Sequence, residues 1–164
     1  MVDLTNVSSL IGVLQVLCGG DPRQARKVEK TLNVFLKNLS CVSPLMEVLC
    51  GGSDHAVRQQ AGILLKTKIA TFAPKLTAQQ QTVLKNRLVE RLFLENVLPV
   101  AGTIAGIIAM ITTSLEWPEL ASVLKQLIGN PNEKHRILAS TLVSEVRART
   151  TPTILLTLSL VSVK

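Results

Sequence analysis

Aromatic residues are nearly absent from this chain. Its 164 residues include one tryptophan, three phenylalanines and no tyrosine, although 47% of the residues are hydrophobic. A core must then be built from Leu, Val, Ile and Ala, which suits packed helices better than an aromatic-rich β-sandwich. The length is enough for one domain with a sizeable core.

Features typical of disulfide scaffolds, zinc sites and enzymes are also missing. The three cysteines cannot all pair, and none lies in a Cys-x-x-Cys motif or beside a histidine, which indicates a reducing compartment. There is no Gly-x-Ser-x-Gly, His-Glu-x-x-His or phosphate-binding loop motif. The N-terminal residues lack the basic segment of a signal peptide. We therefore expect neither an enzyme nor a bound cofactor or metal.

Acidic residues are the minority among the charged ones. Eighteen Lys and Arg against eleven Asp and Glu give a net charge of +7 and an isoelectric point near 9.7. Such a balance favours acidic partners, whether nucleic acid, anionic membrane or an acidic protein surface. The sequence has no aromatic RNA-binding motif, no zinc-finger spacing and no long basic run, so nucleic acid is not the partner we expect.

What the chain does contain is an internal repeat. Val-Leu-Cys-Gly-Gly occurs at residues 16–20 and again at 48–52. Three windows share Leu, Gly, Arg and Leu at offsets of 0, 2, 9 and 15: Leu17, Gly19, Arg26 and Leu32; Leu49, Gly51, Arg58 and Leu64; Leu127, Gly129, Arg136 and Leu142. A shared register of this kind indicates copies of one supersecondary unit.

Each window predicts a helix, a turn and a second helix. We expect the first helix to end at Leu-x-Gly, with the glycine in the left-handed conformation. An N-cap residue then opens the second helix at Asp21-Pro22, Ser53-Asp54 or Asn130-Pro131.

The resulting prediction is an all-α chain, an α-solenoid of about four HEAT-type helical hairpins in a right-handed superhelical stack. Residues 1–164 would form one array. The predicted helices are 4–18 and 22–38, 43–50 and 54–72, 77–94 and 96–114, and 117–128 and 131–148, which gives hairpins at 4–38, 43–72, 77–114 and 117–148. Residues 152–164 would begin a further repeat, so we expect an N-terminal fragment of a longer solenoid.

Residues 96–115 leave a membrane alternative open. They contain no charge, and Gly102 and Gly106 have the spacing of membrane helix pairs. The same small residues suit a helix buried on several sides, and this segment falls where the third hairpin needs its second helix. Burial is the favoured interpretation, and a small membrane protein is the second alternative.

Several motifs resemble those of importin-β-type nuclear transport receptors. Residues 54–66 read Asp-x-x-Val-Arg-x-x-Ala-x-x-x-Leu-Lys, followed by Leu-Thr-Ala-Gln-Gln-Gln at 76–81 and Glu-Trp-Pro-Glu-Leu at 116–120. The resemblance covers roughly residues 4–150. It implies a carrier in cytoplasm and nucleus whose partners are the GTPase Ran in its GTP form, cargo proteins and nucleoporins. Ran binding to the N-terminal repeats would release cargo. A HEAT adaptor unrelated to transport is the first alternative.

Recurrence and position in the repeat predict different roles for the arginines and for the basic residues of the second helices. We expect the recurring arginines, Arg26, Arg58 and Arg136, to form a structural ladder of hydrogen bonds to turns or neighbouring repeats. The candidate Ran-binding residues lie on second helices, away from the apolar stripe: Lys27, Lys30, Gln59 and Lys66. Cys18 and Cys50 share one repeat position, so we expect both to be small buried side chains.

Overall fold

The chain is helical, as its apolar periodicity predicts. The computed structural model describes residues 3–149, which form eight α-helices and no β-strand. The helices are α1 Val7–Cys18, α2 Pro22–Phe35, α3 Val42–Gly51, α4 His55–Phe72, α5 Ala78–Leu94, α6 Leu98–Thr112, α7 Leu120–Ile128 and α8 Glu133–Arg147; short 3-10 turns occupy Leu39–Cys41 and Ala73–Lys75. The all-α prediction is therefore confirmed. The HEAT solenoid arrangement stays a prediction, and the further repeat predicted at 152–164 lies outside the described residues.

Side-chain hydrogen bonds explain where several of these helices start. Asp21 accepts a hydrogen bond from the amide of Arg23, with Pro22 at the first helical position, and Asp54 accepts from Ala56 and Val57. Thr77 and Gln80 form a reciprocal capping box that opens α5. Each of these caps supplies an acceptor for backbone N–H groups that have no partner inside the helix.

The first helix of each window ends at its Leu-x-Gly motif as predicted, but the left-handed conformation is wrong at all three glycines. Gly19 and Gly129 have φ of −71° and −77°, and Gly51 lies inside α3. The left-handed residue is instead Gly20, with φ of 74°. In the second window the amide of Gly52 continues the α-helical pattern by donating to the carbonyl of Val48, so no left-handed residue is needed there.

The start of α8 also differs from the prediction. Asn132, not Asn130, is the N-cap, and its side chain accepts from the amide of Lys134. Asn130 instead accepts from the amide of Asn132 and closes a local turn in which Pro131 lies. Two consecutive asparagine turns thus delay the helix by two residues.

The chain divides into two compact units between Lys75 and Leu76. In the first unit α4 packs against α3 and α1, while α2 packs against α1. Its core is aliphatic, and the largest fully buried side chains are Leu10, Leu14, Leu45, Leu49, Leu65 and Ile69. Aliphatic burial of this kind is the main stabilising contribution expected for a chain with so few aromatics.

In the second unit α6 is the buried helix. It packs against α8 and α5, and α8 also packs against α7. Ten of its fifteen residues are buried, including Ile104, Ile107, Ile108 and Ile111. Among the described residues no single helix is long and apolar enough to cross a membrane; the bent pair Pro22–Phe35 and Leu39–Gly51, at 116°, meets that test by length and composition.

Candidate protein-binding site

The exposed side of α2 carries a row of basic side chains. Arg23, Lys27 and Lys30 are all exposed, and they are spaced four and three residues apart, so they share one helix face. Val34 continues the row four residues later and is 61% exposed. On the opposite side Leu32 and Phe35 are buried. The single acid of α2, Glu29, lies about 120° from the row.

The two predicted residues on α4 have a different setting. Gln59 and Lys66 are half-buried, whereas Lys27 and Lys30 on α2 are exposed. The exposed positions along the middle of α4, Ile63, Thr67 and Thr71, are uncharged. The four candidate residues therefore do not form one uniform basic face, because only α2 presents exposed charge.

The recurring arginines behave differently from window to window. Arg58 is 3% exposed, and its Nε donates to the carbonyl of Leu49 at 3.0 Å. Arg136 is exposed, and its Nη1 donates to the carbonyls of Asn130 and Pro131 at 3.3 and 3.0 Å. Both arginines thus reach back to backbone that precedes their own helix. Arg26 is exposed, and the described residues include no hydrogen bond from its guanidinium to the turn before α2.

Arg58 also explains the second glycine of its window. A Cβ atom on Gly52 would lie 2.7 Å from the carbonyl oxygen of Val48 and 2.9 Å from Cγ of Arg58. Both distances are shorter than van der Waals contact, so the arginine stem packs directly over the glycine. These contacts give Arg58 a role in joining α3 to α4.

A groove lies beside the C-terminal half of α2. It is a shallow, open depression of about 510 Å³ between this helix, the residues before α1 and the residues that follow α2. Leu4, Val34 and Phe35 supply its apolar lining, while Lys30 and Asp3 are the charged residues on its walls. The basic row of α2 therefore leads into a concave apolar surface, a combination typical of ligand and peptide sites.

Sequence reasoning missed a buried carboxylate in the second unit. Glu95 is 1% exposed, and its Oε1 accepts from the amides of Asn96 and Val97 at 3.0 and 2.9 Å. Its Oε2 accepts from Nε and Nη2 of Arg91 at 3.1 and 3.0 Å. One side chain thus joins the end of α5 to the start of α6. The i, i+4 pairing of Arg91 with Glu95 was visible in the sequence, but its burial was not.

Lysine contacts hold two further loops of the second unit. Lys85 donates to the carbonyl of Glu116 at 2.8 Å, and its ammonium lies 5.4 Å from the centre of the Trp117 ring. Lys134 donates to the side chain of Asn96 at 2.9 Å.

The ring of His135 lies beside Phe93. Its Nε2 donates to the Phe93 carbonyl at 3.0 Å, because a carbonyl can only accept.

The cysteines do not behave as equivalent repeat positions. Cys18 is exposed and Cys50 is half-buried, so the expectation that both are buried is wrong. The fully buried thiol is Cys41, whose pKa is raised by burial to about 11. Among the described residues no cluster of three His, Cys, Asp or Glu side chains could hold a metal ion.

Comparison of the chain with protein-family models, curated proteins and solved structures finds no match.

Proposed function

We propose that the chain is a protein-binding scaffold whose principal contact surface is the exposed face of α2. The observation that carries this proposal is the row of Arg23, Lys27 and Lys30, which is exposed along a helix anchored on α1. Rigid helices position side chains more accurately than loops do. Positive charge on such a face steers an acidic partner and fixes its orientation.

The finer proposal is that this partner is Ran in its GTP form and that the chain is the N-terminal portion of an importin-β-like receptor. Its support is the resemblance of residues 54–66, 76–81 and 116–120, together with Lys27 and Lys30 on the second helix of the first hairpin. Cargo proteins and nucleoporins would then be further partners, and cytoplasm and nucleus the compartments. The HEAT adaptor alternative uses the same face without Ran.

The size of α2 sets a requirement on this proposal. A helix of 14 residues is about 21 Å long and about 10 Å wide, so its exposed face offers roughly 200 Å². A stable interface with a folded protein buries roughly 800 Å² on each side. Ran must therefore contact further helices, and Gln59 and Lys66 on α4 are the candidates.

The test is direct binding of the chain to Ran loaded with GTP or with GDP. We expect binding to the GTP form, and the double substitution Lys27→Glu and Lys30→Glu should weaken it about tenfold or more. Lys125→Glu with Arg147→Glu is the matched control, because these exposed cations lie in the second unit and give the same charge change. Absence of binding in both nucleotide states would refute the Ran proposal and leave the adaptor.

A further inference from the structure

We propose that the groove beside α2 binds a short peptide segment in which acidic residues are followed by one apolar anchor residue. The acidic residues would pair with Arg23, Lys27 and Lys30, and the anchor would enter the groove at Val34. The proposal rests on the protein-binding function, because it names the chemistry of a partner for the same face, but it does not require Ran.

The spacing of Arg23, Lys27 and Lys30 is the first observation that favours an acidic peptide. Four- and three-residue intervals on a helix place the three cations about 6 Å and 4.5 Å apart along its axis. An amphipathic peptide with carboxylates at the same intervals can meet all three at once. Glu29 lies off this row, so no acid of α2 stands between the cations and such a peptide.

The apolar groove is the second observation, and it favours an apolar anchor residue in the peptide. Val34 leaves 61% of its surface exposed, although it lies beside Phe35 and Leu4, which are 8% and 3% exposed. The cavity of about 510 Å³ is roughly large enough for one or two aliphatic side chains and is open to solvent at Val34. An apolar anchor placed there would cover exposed hydrophobic surface and so add affinity that charge alone does not give.

The groove also favours a peptide over nucleic acid. Phe35 is almost fully buried, so its ring offers no face on which a base could stack. Asp3 accepts hydrogen bonds from the hydroxyl and then the amide of Thr5, at 2.6 and 3.0 Å, which lower the pKa of its carboxyl. A phosphate chain that follows the basic row would therefore meet an ionised carboxylate at the groove.

An anionic membrane fits the surface less well than a peptide. Lipid binding by an amphipathic helix needs a protruding apolar face that enters the bilayer. Here Val34 is the exposed apolar residue of α2, and it forms part of a concave groove with polar and charged residues on its walls. A single side chain therefore fits this depression better than the surface of a bilayer does.

The experiment is fluorescence polarisation of a labelled synthetic peptide with the full chain. The peptide carries glutamates at intervals of four and three residues and a leucine four residues further on, and it is tested in both chain directions. We expect at least one direction to bind. Replacing its leucine by glutamine, or its glutamates by lysines, should weaken binding about tenfold or more.

Variants of the chain locate the site. Val34→Gln should weaken binding of the leucine peptide but not of the glutamine peptide, because Val34 is exposed and its replacement leaves the core intact. Lys27→Glu with Lys30→Glu should weaken both, while Lys125→Glu with Arg147→Glu should change neither. If binding is lost equally in the control, or is insensitive to Val34, the groove proposal is overturned.

Two competitor arms complete the test. Single-stranded RNA, and vesicles of phosphatidylserine and phosphatidylcholine, should not displace the peptide at equal charge concentration. The proposal would be overturned if the RNA or the vesicles bound through Lys27 and Lys30 while the peptide did not bind. Peptide binding without Ran binding would refute the Ran proposal alone. Ran binding that ignores Val34→Gln, without peptide binding, would refute the groove alone.

Discussion

Replacing Glu95 by alanine should destabilise the second unit more than replacing an exposed glutamate of α5 by alanine does. Its carboxylate is 1% exposed and accepts hydrogen bonds from the guanidinium of Arg91 and from the amides of Asn96 and Val97. Alanine removes every acceptor at once. The guanidinium of Arg91 then loses the carboxylate that neutralises it. The amide of Val97, a half-buried residue, loses its hydrogen-bond acceptor.

The magnitude follows from the burial of the two partners. Removing one member of a buried ion pair costs about 3–5 kcal/mol of unfolding free energy. The side chain of Arg91 is 26% exposed and can regain water, which places the loss at the lower end, about 3 kcal/mol. Glu95→Gln keeps one acceptor oxygen and the side-chain volume, so we expect a loss of about 1–2 kcal/mol.

Urea denaturation followed by tryptophan fluorescence measures this effect in the unit concerned. Trp117 is the single tryptophan, and it lies in the second unit with Glu95. A loss of about 3 kcal/mol lowers the midpoint by roughly 1.5 M urea for an m-value of about 2 kcal/mol/M. Glu90→Ala is the matched control, since Glu90 is an exposed glutamate on the same helix. If the two alanine variants unfold within about 0.5 kcal/mol of each other, the buried acid does not join α5 to α6 as we argue.

Three further predictions address other contacts. Gly52→Ala should lower the unfolding free energy by about 1–3 kcal/mol, because its Cβ would lie 2.7 Å from the carbonyl oxygen of Val48. Gly51→Ala is the control and should not lower it, because nothing lies within 4 Å of its Cβ. Equal denaturation midpoints of the two variants would contradict the prediction. Lys85→Met should lower the unfolding free energy by about 0.5–1 kcal/mol and change the fluorescence emission of Trp117, because it removes the ammonium that lies 5.4 Å from the centre of that ring. An unchanged emission spectrum would count against this contact. Burial raises the pKa of Cys41 from 9.0 to about 11. Between these pH values the unfolded chain loses the thiol proton whereas the folded chain keeps it. The free energy of unfolding should therefore fall as the pH rises from 9.0 to about 11. Cys41→Ala should show a shallower fall in thermal melts over the same window, and parallel slopes would refute the assignment.

Local signals in the sequence predict the helices well. Asp21, Asp54 and Thr77 are strong N-cap residues, and each caps a helix in the structure. The uncharged run at 96–115 becomes α6, which is buried inside its unit. Periodicity and caps act over a few residues, so a single sequence contains what is needed to place them.

Tertiary contacts are what the sequence does not reveal. Glu95 resembles any surface acid until the start of α6 is packed against it. Gly20 takes the left-handed conformation, whereas its counterpart Gly52 does not. The arginines of the two windows differ as well, because Arg58 packs over Gly52 while Arg26 stays exposed. Sequence identity between two windows therefore does not fix which one is covered by neighbouring helices.

The two copies also differ in the burial of their aligned positions. The 32-residue shift aligns Lys27 with Gln59 and Lys30 with Gly62. Gly62 is buried in α4, where a lysine would leave an unpaired charge in the core, whereas Lys30 on α2 is exposed. The same repeat position thus serves packing in α4 and solvent-facing charge in α2. A residue type that packing does not require, repeated along one exposed face, is where selection for a partner can act. For this reason we propose α2 as the contact surface from the residues in which the two copies differ, Arg23, Lys27 and Lys30, and not from the Leu, Gly and Arg register that they share.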